Sequence, residues 1–84
     1  MHVTVIEGRL DRVFFNTVER LVYLVLEKES EIHTLRVSDN SMFRVSIMLT
    51  KPGDYVIAHT RNGHVDKWVN RTMTQAAEDS CAAD

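Results

Sequence analysis

The dipeptide Asn62-Gly63 limits what this chain can fold into more than any other local feature. Both residues tolerate the positive φ angles of a two-residue type I′ turn, whose twist matches that of the strands it joins. Tyr55-Val56-Ile57-Ala58-His59-Thr60 precedes the pair and His64-Val65-Asp66-Lys67-Trp68-Val69-Asn70 follows it, so the region reads as a hairpin. The turn sets a register with Arg61 opposite His64, Thr60 opposite Val65 and His59 opposite Asp66. Side chains alternate with a period of two. One face is then Val56, Ala58, Thr60, Val65, Lys67 and Val69, the expected core face. The other is Tyr55, Ile57, His59, Arg61, His64, Asp66, Trp68 and Asn70, the expected ligand face.

Three further strands are expected upstream. His2 to about Phe15 is the first, with Gly8 inside it suggesting a bend or bulge. After Asn16-Thr17, the segment from Glu19 to Lys28 presents Leu21, Tyr23 and Val25 on one side and Val22, Leu24 and Leu26 on the other. Both sides are apolar, so this strand is expected to be central or covered. Glu27-Lys28-Glu29-Ser30-Glu31 reads as a solvated hairpin tip before a third strand, Ile32 to Val37. Ser38-Asp39-Asn40-Ser41 then offers helix N-caps, and Met42, Val45, Met48 and Leu49 fall at helical spacing, although Val and Ile keep a strand open. This short helix is expected to close the bottom of a barrel; a partner surface built on Met42, Phe43, Ile47, Met48 and Leu49 is the alternative. Pro52-Gly53 marks the turn into the fourth strand.

At 84 residues the chain fits one thin-cored domain, and 44% hydrophobic with 26% charged residues is ordinary globular composition. No apolar run approaches the roughly 18 residues of a membrane helix, and Met1-His2-Val3-Thr4 has no signal-peptide start, so a cytoplasmic protein without membrane contact is expected. The net charge of −2 is uneven: residues 1–74 hold ten bases and nine acids, while 75–84 hold three acids and no base. We expect a domain over 1–72 and an acidic, frayed tail over 73–84, with a short terminal helix as the competing reading. Cys81 is the single cysteine, so no intrachain disulfide forms.

Three strands, a short helix and a hairpin make β-β-β-α-β-β. Together with Ile6-Glu7-Gly8-Arg9-Leu10 and with Pro52-Gly53-Asp54-Tyr55-Val56-Ile57 followed by Asn62-Gly63, this order resembles the OB-fold, a five-stranded partly open barrel. An SH3-like barrel is the alternative. The resemblance covers residues 3–71 at the level of architecture, and it implies binding of single-stranded nucleic acid across the second and third strands and the adjoining loops. The fold also serves protein interaction, so a partner protein docked on the Tyr55/Trp68 face or on an edge strand is the other expected function.

Single strands need rings for bases to stack on and cations that follow phosphates. Tyr55 and Trp68 are the candidate rings, with Phe14 or Phe15 extending them; Arg61, His64, Arg36, Arg44 and Arg71 are the candidate cationic and polar groups. The competing expectation is that Trp68 covers Ile57 and that Tyr55 packs on the helix. His59, His64 and Asp66 share the ligand face near the hairpin tip, but a structural zinc site needs four ligands, so no metal or other cofactor is expected. No Gly-rich phosphate loop, HExxH or Gly-x-Ser-x-Gly is present, so no enzyme is expected. Affinity for phosphate is largely electrostatic, and a barrel near charge balance is expected to act as a homo-oligomer or within a larger assembly.

Overall fold

A computed structural model describes the backbone of residues 3–82 and the side chains as far as Ala77. Its elements are β1 (Thr4–Asn16), β2 (Leu21–Lys28), β3 (Glu31–Ser38), α1 (Arg44–Leu49), β4 (Tyr55–Arg61), β5 (His64–Asn70) and α2 (Arg71–Ala82). The strands close into a barrel in the order β1-β2-β3-β5-β4. The order, with α1 between β3 and β4, is compatible with an OB-like fold. Among the described residues no helix is long and apolar enough to cross a membrane.

The length of β1 lets it serve two neighbours. Its first half, Thr4 to Arg9, pairs antiparallel with β4, and its second half, to Asn16, pairs with β2. At Gly8 the backbone of β1 runs close against β2. A Cβ there would sit 2.6 Å from the Glu27 carbonyl oxygen, inside any real contact distance. The register shift itself falls a little further on, between Leu10 and Arg12. Closure between β3 and β5 is narrow, resting on the parallel pair Arg36 and His64.

The tight turns hold the strand ends. Glu29 and Ser30 both take positive φ, 51° and 71°, so the charged tip between β2 and β3 is a two-residue turn. Asn62 and Gly63 take φ of 52° and 81°, the geometry of the expected type I′ turn. Asn16 organises the connection from β1 to β2: its side-chain oxygen accepts the N–H groups of Val18 and Glu19.

The hairpin register holds as far as Arg61 with His64 and Thr60 with Val65, and then breaks. His59 faces Lys67, because Asp66 is an extra residue in β5. A bulge of one residue reverses the parity of everything beyond it. Trp68 and Asn70 therefore turn into the barrel, Lys67 turns out, and the expected ligand face is split. Trp68 is 5% exposed and opposite Ala58, so it neither lies on an outer face nor covers Ile57.

The core joins Leu10, Val22, Leu24, Leu26, Leu35, Val37, Val56, Ala58 and Val65 of the strands to Trp68 and to Ile47 of α1. In α1 the inward residue is Ile47, supported by partly buried Phe43, while Met42, Val45, Met48 and Leu49 are exposed. The helical spacing was real, but its apolar stripe faces solvent. With only six residues, α1 presents one side chain to the barrel mouth. Its expected side-chain cap is also absent: Phe43 holds the N-cap position, and Ser41 Oγ accepts the Phe43 N–H just before it.

A buried polar relay fastens this end. Trp68 Nε1–H and Asn70 Nδ2–H both donate to Thr50 Oγ1, and Asn70 also donates to Asp54 Oδ2. The side-chain oxygen of Asn70 accepts the Met73 N–H at 2.9 Å, which caps the start of α2. Thr72 Oγ1 accepts the Tyr55 N–H, tying the same turn to β4. Residues from 73 on, expected as a frayed tail, are thus helical through Ala82, the competing reading, because this cap and these ties anchor the first turn. The Cys81 thiol and the acidic side chains of 78–84 lie outside the described side chains.

Candidate nucleic-acid interface

Five residues in consecutive register form a row across the outside of the barrel: Phe14 in β1, Tyr23 in β2, Arg36 in β3, His64 in β5 and Arg61 in β4. Their neighbours in the chain explain the direction. Val22 and Leu24 are buried, so Tyr23 points out; Leu35 and Val37 do the same for Arg36, Val65 for His64 and Thr60 for Arg61. With strands spaced at about 4.8 Å, the row extends roughly 20 Å, the reach of a few nucleotides.

Its first part is aromatic. The rings of Phe14 and Tyr23 stack with centroids 5.2 Å apart and planes 10° from parallel, and Phe14 remains 45% exposed. Tyr23 is oriented by its hydroxyl, which donates to Glu19 Oε2 at 3.2 Å. Burial, followed by the Glu19 carboxylate, holds the Tyr23 phenol above its ordinary pKa, so it stays a neutral donor across the working range.

The second part is cationic. Arg36 donates from Nε to His64 Nε2 at 3.0 Å and from Nη2 to the Asn62 carbonyl at 2.9 Å, and its backbone N–H reaches the Gly63 carbonyl. The two acceptors are an imidazole nitrogen and a backbone carbonyl, so the guanidinium is positioned without a carboxylate partner among the described residues. Arg61 is different: Asp66, the bulge residue, accepts its Nε–H at 3.0 Å.

Of the residues expected at the site, Phe14, Arg36, His64 and Arg61 come together here. Tyr55 and Arg71 do not. Tyr55 and Arg61 are the two ends of β4, six positions apart, about 20 Å of strand. Tyr55 lies instead under the Arg9 guanidinium, 5.9 Å from the ring centroid, beside the Glu7–Lys28 ion pair and Arg71. The ion pair holds the Glu7 carboxyl below its ordinary pKa, chiefly through the hydrogen bond from Lys28. Arg44 sits on α1, apart from the row, and Trp68 is in the core. Phe15 is exposed but opposite Val22, off the row.

Tyr23 is the residue of this row that sequence reasoning passed over. Reading β2 as apolar on both sides hid it, although a hydroxyl on one side and three aliphatic residues on the other was a signal for which side faces water. Among the described residues no three of His, Cys, Asp and Glu converge as metal ligands. His59 lies opposite Lys67 where the sequence placed Asp66, which separates the expected trio. No protein-family model matches the chain, and no curated protein matches it in sequence.

Proposed function

We propose that this protein binds single-stranded DNA or RNA across the outer face of β1, β2, β3 and β5. The observation that carries the reading is the continuous row in which a stacked aromatic pair, Phe14 and Tyr23, runs into the oriented guanidinium of Arg36 and on to His64 and Arg61. Bases stack on the rings, and Arg36 with Arg61 meets the phosphates. The Asn62-Gly63 turn, held by Arg36, forms one wall of the path, and the turn after Asn16, with exposed Arg20, forms the other.

The charge of this face is modest, since Glu19 and Asp66 lie within it. Binding is therefore weak for one copy and strengthened by several copies on one strand. Two or three neutralised phosphates correspond to a slope of about −1.4 to −2.1 in log K against log salt.

The test is anisotropy of a labelled oligonucleotide titrated with protein at low and raised salt, for wild type and for Phe14→Ala, Tyr23→Ala and Arg36→Ala. Each ring removal should weaken binding roughly tenfold, within the ~1–3 kcal/mol range of base stacking, and Arg36→Ala should also flatten the salt slope. Absence of binding at low salt, or Phe14→Ala and Tyr23→Ala proteins that bind as wild type does, rejects the proposal.

A further inference from the structure

A second exposed apolar surface lies away from the row, at the barrel end closed by α1. Met42 is 85% exposed and Val45 69%, with Met48, Leu49 and Met73 also exposed. Val45, Met48 and Leu49 lie at i, i+3 and i+4 and share one side of the helix. Leu49 and Met73 then line a groove of about 260 Å³, floored by Trp68 and Val69, between α1, β5 and the start of α2. Patches of this kind on a small protein mark contact surfaces, and methionine side chains adapt to varied apolar partners.

The charge around the patch selects its occupant. From Asn40 to Gly53 the chain carries Arg44 and Lys51 and no acid. Lys67 projects from β5 two residues from Val69, on the same side. No carboxylate among the described residues bonds to the side chains of these three cations. The neighbouring acids are already engaged: Asp54 accepts the Lys51 N–H and the Asn70 amide, and Asp66 is paired with Arg61. A second copy docked through its own α1 would set Arg44 and Lys51 against themselves, since a two-fold interface is self-complementary. A nucleic acid would find cations there but no exposed ring, because Phe43 is packed on the core.

We infer that the groove of α1, β5 and α2 is a docking site for an acidic amphipathic segment of a partner protein. Large apolar side chains of that segment enter beside Leu49 and Met73, and its carboxylates meet Arg44, Lys51 and Lys67. This site is separate from the Phe14/Tyr23 row and stands whether or not that row binds nucleic acid.

The probe is a tryptophan-free helical peptide with leucines at i, i+3, i+4 and i+7 and glutamates elsewhere, compared with a twin carrying lysines in place of the glutamates. Trp68 is the only tryptophan and lines the groove, so its fluorescence reports occupancy; the methyl resonances of Met42, Met48 and Met73 locate it. The glutamate peptide should bind at least tenfold more tightly than its twin and should move those methyl signals. Arg44→Glu with Lys51→Glu should reverse the preference, and Met48→Ser with Leu49→Ser should abolish binding; all four residues are exposed, and circular dichroism checks the fold. Equal binding of the two peptides, no binding by either, or unchanged binding in the charge-reversed protein overturns the inference. So does wild-type self-association that Leu49→Ser dissolves, or movement of the methionine methyls by an oligonucleotide alone.

Discussion

Two aromatic regions of this barrel lie on strands with the same period-two alternation, yet one lies in the core and the other in water. Trp68 is enclosed against Ala58, with its N–H spent on Thr50. Phe14 and Tyr23 stack on the outer face, with the tyrosine hydroxyl turned to Glu19. Residue type does not separate them. The single extra residue Asp66 does, because it decides which side of β5 Trp68 occupies. The comparison teaches that the ring pair available for the proposed binding is the exposed one beside Arg36, whereas the larger ring, the more obvious candidate in the sequence, is packed in the core.

The strongest way to break this comparison is Trp68→Ala. Emptying the core opposite Ala58 should cost about 3–5 kcal/mol, the range for truncating a buried tryptophan side chain. Urea denaturation followed by circular dichroism measures it, and an alanine protein of near wild-type stability would show that the ring does not hold the fold together. A milder change sharpens the same point: Trp68→Phe keeps a ring but removes the donor to Thr50, for about 1–2 kcal/mol of stability and no loss of oligonucleotide binding. Phe14→Ala is its mirror image. It should alter stability by under ~1 kcal/mol, since the ring is half exposed, while weakening binding roughly tenfold.

Acid titration probes the opposite flank, where Tyr55 sits. Glu7 is held below its ordinary pKa by Lys28, and Asp54 by the Lys51 N–H and then Asn70. Both carboxyls have folded values depressed relative to the unfolded 4.5 and 3.8, so their stabilisation is complete above those values and is lost as pH falls through the lower, folded ones. The thermal midpoint should drop from pH 6 to pH 3, and Glu7→Gln should make that drop smaller; an equal drop in both proteins would remove Glu7 from the account. The smallest expected effect is at the tip joining β2 and β3. Ser30 takes φ of 71° without being glycine, so Ser30→Gly should stabilise by about 0.5–1 kcal/mol, leaving both aromatic regions unchanged.

Most of the architecture was legible because it follows from local rules. Asn62-Gly63 requires positive φ, Pro52-Gly53 interrupts the chain, and alternation in Ile32 to Val37 marks a strand, all without reference to distant residues. The candidate site was legible only in part. Phe14, Arg36, His64 and Arg61 were expected there, but they were grouped with Tyr55, Trp68, Arg44 and Arg71, which the structure sends to the opposite flank, the core, α1 and α2. Tyr23 was missed because reading β2 as apolar on both sides gave its one hydroxyl too little weight.

What the chain determines by itself is therefore the succession of strands, turns and the helix before β4, since backbone conformational preference and side-chain period act over a few residues. Tertiary structure decided which rings meet water, which stripe of α1 stays bare and that α2 forms. Those outcomes depend on parity after a bulge, on the narrow contact of Arg36 with His64, and on a cap supplied by Asn70 from the end of a strand. Each is a relation between residues brought together only by closing the barrel, and no local preference encodes it.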